Sequence, residues 1–405
     1  MEIVTIYQKY CLKIVQKKCG PHLFITAYFY EASVNLIAAL PFLYQELNQI
    51  LRKENAVVVL ERWFGSDKEL DLGIRELQPV DDKTQLRNAV TPINGNPCYG
   101  TKDSPCTGFA GMQIEAVVPS EGVSVPEFIF DEQGCVAGRQ WKEGKARFII
   151  LQNLWDSDLS HSRTEQTAVT LRLAELLLKN ESMTYQDVAR TWIYLDDILS
   201  WYDSFNEVRN VFYREIGIMP AWENTSVTPA SECYLPASTG IRGRSLSQAA
   251  CTIDLIASQI PDDSGFRVQR LTNRKQKDAF RYGAAFARAS VIENDEYAEV
   301  QISGTAAINE KGDSILLRDV EAQIRYTLDT IETLIEEAGF KLTDICTSTA
   351  FIKHEEDLPL FLDILKEKGL ENLPVVICKA DVCRDNLLFE LDGIAGRNKI
   401  KTEKL

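Results

Sequence analysis

The chain has 405 residues, 45% hydrophobic and 25% charged, with a formal charge of −15, which allows two or three domains with real cores and disfavours a nucleic-acid partner, since no basic stripe offsets the acidic excess. No run of about 18 apolar residues occurs, which excludes a spanning helix, and the opening MEIVTIYQKYCLKIVQKKCG lacks the apolar block of a secretion signal, so a cytoplasmic protein without a membrane partner is expected. Ten cysteines without a CxxC pair and three separated histidines point to free thiols, and neither a metal nor a cofactor is expected.

In chain order, LFITAYFY reads as a strand, NLIAALPFLYQELNQILRKE as a helix, AVVVLERWF as a strand and GFAGMQIEAVV as a closing strand. NGNPCYGTKDSPCTG (94–108) is rich in Gly, Pro, Asn and Ser and is predicted to be loop; VPSEGVSVPE (118–127) is predicted to lead into a second unit. There, QTAVTLRLAELLLKN carries Leu171, Ala174 and Leu178 at helical spacing. The strand VARTWIYL follows, then a helix from about 201 to 216 and the strand ACTIDLIA. IPDDSGFRVQRLTNRKQKD (260–278) is predicted to link to a third unit, which repeats the pattern as QIRYTLDTIETLIEEAG, ICTSTAFI, a helix from about 358 to 368, and LLFELDGIA. Placing Gln166 on Gln323 also places Asp187 on Asp344 and Val188 on Ile345, so these two units are copies. The first is a fainter copy. Three units, 1–120, 121–260 and 261–405, account for the chain, giving an α+β fold of mixed sheets with two helices each.

In the last stretch, DVCRDNLLFELDGIA (381–395), alternation puts Leu387, Phe389 and Leu391 on one face and Leu388, Glu390 and Asp392 on the other. This is either the wet face of a sheet or a carboxylate placed for chemistry.

The third unit resembles the Rid/YjgF family through YGAAFARA, VQISGTAAINEKGD, DICTSTAFIKHEEDLPLF and LFELDGIA, and the second through VARTWIYLDDILSWYDSFNEVRNVFY and PASTGI. Family members assemble as trimers with clefts between subunits. The resemblance therefore implies a chorismate-mutase-like pseudo-trimer within one chain, existing as a monomer or homodimer. It also implies that the family's SGQ loop is Ser303-Gly304-Thr305, where glycine lets backbone N–H groups approach a ligand. The family's substrate-facing tyrosine is Phe286, with Tyr282 one turn away to supply a hydroxyl. The arginine clamp of deaminating members is missing: Val375 and Val376 stand there in the third unit and Ser238 in the second.

Glu390 aligns with the glutamate that positions water in deaminating members. Cys383-Arg384 followed by Glu390 also resembles the C-terminal CRxxLxxE motif of chorismatases, whose glutamate is the acid that starts hydrolysis of an enolpyruvyl ether. Chorismatases further carry an arginine just before the Phe of their FxRA stretch, where this chain has Ala284-Ala285. Candidate cations for a carboxylated ligand are Arg384, Arg288, Arg242 and Lys379. Cys383 is a nucleophile, a pocket wall, or simply a small buried residue. Ser238 offers a further donor. The expected function is an enzyme acting on a small carboxylated enol ether or imine; the alternatives are a non-catalytic small-molecule binder and an interaction scaffold.

Overall fold

The computed structural model describes residues 2–31, 34–68, 70–71, 90–94, 96–97, 108–225, 227–229 and 232–399. Three mixed sheets dominate, two of six strands and one of seven. The first has the order β1 (Glu2–Tyr7), β2 (Leu12–Cys19), β3 (His22–Phe29), β7 (Phe109–Val117), β4 (Val57–Gly65), β5 (Val90–Asn94). Helix α1 (Leu36–Glu54) belongs to this part of the chain.

The second sheet runs β12 (Ala237–Arg242), β11 (Val188–Leu195), β13 (Cys251–Gln259), β10 (Ala146–Leu154), β9 (Val136–Glu143), β8 (Glu127–Phe130), with helices α2 (Arg163–Asn180) and α3 (Tyr202–Glu215). The third runs β14 (Arg267–Leu271), β15 (Ala289–Glu293), β16 (Tyr297–Ala306), β19 (Phe389–Asn398), β17 (Ile345–Ile352), β18 (Val375–Lys379), β6 (Asn96–Pro97), with helices α4 (Val320–Glu336) and α5 (Leu358–Glu367).

Two predicted loops are corrected here. Residues 267–271 of the expected linker form edge strand β14, where Val268 and Leu271 find apolar cover between charged neighbours. Asn96 and Pro97, within the expected 94–108 loop, pair with β18, so the first unit supplies a strand to the third sheet. The remainder of that loop, with Cys98 and Cys106, lies outside the described residues.

The repeat has a structural cause. In α2, Gln166 accepts at 2.8 Å from the N–H of Ala250, at the entry to β13; in α4, Gln323 accepts at 2.8 Å from the N–H of Leu388, at the entry to β19. Each buried glutamine ties its helix to the chain entering the closing strand. Asp187 and Asp344 likewise accept from the N–H three residues earlier, closing the turn before β11 and β17. One apolar core lies between the three sheets, with Phe24, Phe64, Trp141, Phe148, Trp192 and Phe351 among its residues. Three others lie between each sheet and its helices.

Inside the assembly His22 is buried among glutamates from all three sheets. Its Nδ1 lies 3.1 Å from Glu115 and its Nε2 lies 3.2 Å from Glu143, with Glu299 at 3.9 Å. Tyr297 and Trp141 also donate to Glu143. Carboxylates at both ring nitrogens favour the imidazolium, and His22 is held well above its ordinary pKa despite its burial. Burial, then the neighbouring Glu115 and Glu143, push Glu299 up to about 8.

Both shifts have the same consequence. The folded state keeps protons that the unfolded chain releases near its ordinary His and Glu values, so stability falls as pH rises toward and through 8. Thermal unfolding midpoints should drop between pH 6 and 9 by roughly 2–4 °C per kcal/mol lost, and Glu299→Gln should flatten that decline. A variant as pH-sensitive as the parent would contradict this assignment.

Candidate functional site

Between the second and third sheets lies a cavity of about 510 Å3, counting the part open to solvent. Glu390 stands in its wall on β19. Neither Glu390 nor Asp392 faces water, being 4% and 1% exposed, so the wet-face reading of this strand is overturned. The alternation is real, but the second face is covered by the neighbouring sheet rather than by solvent.

Gly304 explains how the carboxyl fits. A Cβ there would lie 2.1 Å from Glu390 Oε1, so glycine leaves the room that the carboxyl occupies in this position. The flanking residues act differently. Ser303 Oγ accepts from the Ser238 N–H at 2.8 Å and donates to the Ala287 carbonyl at 2.6 Å, joining β16 to β12. Thr305 Oγ1 donates to the Ser303 carbonyl at 2.9 Å. Ser303 and Thr305 therefore shape the wall and do not line the cavity, a correction to the expectation that the whole loop faces a ligand.

Ser238, Tyr282, Phe286, Arg288, Cys383 and Arg384 all border the space with Glu390 and Gly304. The Arg288 guanidinium donates to Tyr282 Oη at 3.0 Å and to the Lys277 carbonyl. Arg384 donates to the Gly312 carbonyl at 2.9 Å and lies 5.6 Å from the Tyr282 ring centre. Both cations thus lie near the Tyr282 ring centre, at 5.7 Å for Arg288 and 5.6 Å for Arg384.

Arg242 and Lys379 are elsewhere. Arg242 pairs with Asp381 at 3.0 Å and is largely exposed, because its position on β12 turns it outward; Lys379 pairs with Glu355 at 3.5 Å.

Sequence reasoning missed Arg209 and Tyr202, both on α3 and both lining the cavity. Arg209 is 1% exposed, donates to Asn206 Oδ1 at 2.6 Å, and has an Nε without a protein partner, as does Arg288. The available signal was an arginine four residues after Phe205, on the apolar face of an amphipathic helix.

Burial and then the charge of Asp392 push Glu390 up to about 8, against the pull of Arg190 and Arg288. At neutral pH the group is a carboxylic acid able to give a proton. Cys383 is pushed up to about 12, by burial and then by Glu390. A thiol so held is not a thiolate nucleophile, and a shape-setting role remains. Cys383→Ser is expected to leave turnover within a few-fold of the parent; a loss as large as that of a Glu390 variant would contradict this.

The three sheets meet in equivalent registers, and this distinguishes the clefts. Arg62 pairs with Thr91 and Gln113, Trp192 with Thr239 and Asp254, and Thr349 with Val376 and Asp392. Two residues before Gln113, Asp254 and Asp392 stand Gly111, Thr252 and Glu390. Of these three positions, one carries an acid. Among the described residues no group of His, Cys, Asp and Glu is arranged to hold a metal ion, and no helix is long and apolar enough to cross a membrane.

Residues 284–395 match the family model described as Endoribonuclease L-PSP, so this part of the chain is similar to the Rid/YjgF family. The chain is also 29% identical over 257 residues to a 3-hydroxybenzoate synthase of Streptomyces hygroscopicus, covering 57% of this chain and 69% of that one. It is 24% identical over 227 residues to a chorismatase of Streptomyces rapamycinicus, covering 53% of this chain and 65% of that one, just under two thirds of the relative's length. A 3-aminoacrylate deaminase of Acinetobacter baylyi is 27% identical over 97 residues, 24% of this chain and 77% of the deaminase. The crystal structure of a chorismatase superposes with a TM-score of 0.57 at 18% identity, covering 84% of this chain and 93% of that one. The fold is therefore the chorismatase fold, a Rid-like pseudo-trimer within one chain.

Proposed function

We propose that the cleft between the second and third sheets is an active site for acid-catalysed cleavage of a small dicarboxylated enol ether of the chorismate class. The observation that carries this reading is a buried Glu390, its carboxyl pushed up to about 8, in the wall of a cavity that three arginines also line. Arg209, Arg288 and Arg384 bind the substrate carboxylates. Two of these side chains, Arg209 and Arg288, keep a buried Nε without a protein partner, a donor an anionic ligand satisfies.

Glu390 gives its proton to the terminal methylene carbon of the enolpyruvyl group, and the positive charge develops on the ether carbon. Water adds to that carbon and returns a proton to the Glu390 carboxylate. The resulting hemiketal breaks its carbon–oxygen bond, releasing pyruvate and the ring alcohol. The names of the relatives, chorismatase and 3-hydroxybenzoate synthase, support this substrate class. A Rid-type imine reaction is less favoured, because buried Val375 and Val376 occupy the place of that chemistry's arginine.

The test is to incubate the purified protein with chorismate and identify products by mass spectrometry. Pyruvate with a dihydroxylated ring product supports the proposal. A hydroxybenzoate would keep the site and change the outcome of the intermediate. Chorismate bound but unchanged would point instead to a ligand-recognition protein.

A further inference from the structure

Behind Glu390 lies a network that the proposed chemistry does not itself use. Asp392 is two residues along β19 and on the same face, about 7 Å away by strand geometry. It is 1% exposed, and three side chains of the second sheet converge on its Oδ2: Arg190 at 3.0 Å, Thr239 Oγ1 at 2.7 Å and Trp192 Nε1 at 3.1 Å. Arg190 is itself fully buried and donates to Thr239 Oγ1 at 2.6 Å, while its guanidinium lies 4.5 Å from the Trp192 ring centre. Thr239 Oγ1 also accepts the N–H of Gly304 at 3.1 Å. One hydroxyl thus joins the ion pair to the residue against which the Glu390 carboxyl rests.

We propose that Asp392, anchored by Arg190, Thr239 and Trp192, is the positioning residue that, together with burial, keeps Glu390 a carboxylic acid. The inference rests on the reading of Glu390 as a general acid. The anionic end of the ion pair lies two residues from Glu390 on the same buried face of β19, where like charges repel strongly. Arg190 pulls the other way and cancels only part of that effect. The other charged or titratable groups around Glu390 are Arg288, Arg209, Arg384, Cys383, Tyr202 and Tyr282. The arginines favour the carboxylate, so among these groups Asp392 is the anion that opposes them.

An interaction across the interface also gives the second sheet a task. It supplies the three donors that hold a residue of the third, so the acid depends on two units being docked.

The experiment follows the carboxyl of Glu390 by infrared difference spectroscopy across pH, with Glu390→Gln identifying its band. In Asp392→Asn, whose amide oxygen still accepts from Trp192 and Thr239, the Glu390 proton should be lost at least about one pH unit lower. The alkaline limb of turnover should move by the same amount. Removing Asp392 alone leaves Arg190 buried without its partner, a change that can prevent folding. The pair Asp392→Asn with Arg190→Gln avoids this, and a smaller downward shift is expected there because the repulsion is the larger of the two influences.

A Glu390 titration that stays in place or moves upward in the folded variants overturns the inference. The infrared readout needs no substrate, so it stands or falls separately from chorismate turnover. Turnover by the parent with an unmoved titration would reject Asp392 and retain the reaction.

Discussion

Glu390→Gln should lower turnover by about 10^2 to 10^4-fold, the range expected when a general acid is removed. Glutamine keeps the size of the side chain and its place against Gly304, but has no proton to give at any working pH. Substrate binding should change far less, because the arginines are untouched. The thermal midpoint should hold or rise slightly, since a buried ionisable group has been replaced by a neutral one.

The parent should show a matching pH dependence. With Glu390 held near 8, the acid form is complete below that value and is lost above it, so activity should fall tenfold per unit on the alkaline side. Measurement of kcat and KM from pH 5 to 10 checks both statements. A rate that rises through pH 8, or a glutamine variant with full activity, would require a different acid.

Gly304→Ala should have the next largest effect, and through geometry alone. The added methyl would meet Glu390 Oε1 at 2.1 Å and Thr239 Cγ2 at 3.2 Å. The obstacle is mostly the far end of a flexible side chain, so the fold survives and the carboxyl moves. A displacement of about 1 Å at a reacting group costs on the order of 10^2 in rate. The loss should appear in kcat, with the unfolding midpoint nearly unchanged. A wild-type rate in this variant would show that the carboxyl position against Gly304 is unimportant. Gross unfolding would show instead that Gly304 serves packing.

The repeat was legible because each copy must solve the same problem. A helix has to be tied to the strand that closes its unit, and Gln166 and Gln323 do so in the same way. The elements of the third unit were also readable from their periodicity, from Leu328, Ile331 and Ile335 on α4 to the buried run of β17.

What sequence could not give was depth. Alternation around Glu390 reads the same whether its second face meets water or another sheet, and only the docked arrangement distinguishes them. Arg242 looked as suitable as Arg288 because both are arginines near family motifs; the direction of a strand decides which reaches the cavity. Arg209, Arg190 and Asp392 were overlooked or left without a role because their importance comes from contacts between units. Gln301, Ser303 and Thr305 are all buried in β16, yet Gly304 alone among 303–305 meets the cavity, owing to a register shift between Ile302 and Thr305.

The most direct measurement is turnover of chorismate in D2O, with mass analysis of the released pyruvate at early times. Protonation of the methylene carbon by an acid equilibrated with solvent places one deuterium in the pyruvate methyl group. The account predicts singly deuterated pyruvate from the parent protein and none above background from Glu390→Gln. Pyruvate released without deuterium, or equal labelling by the variant, would contradict a Glu390-driven proton transfer to carbon.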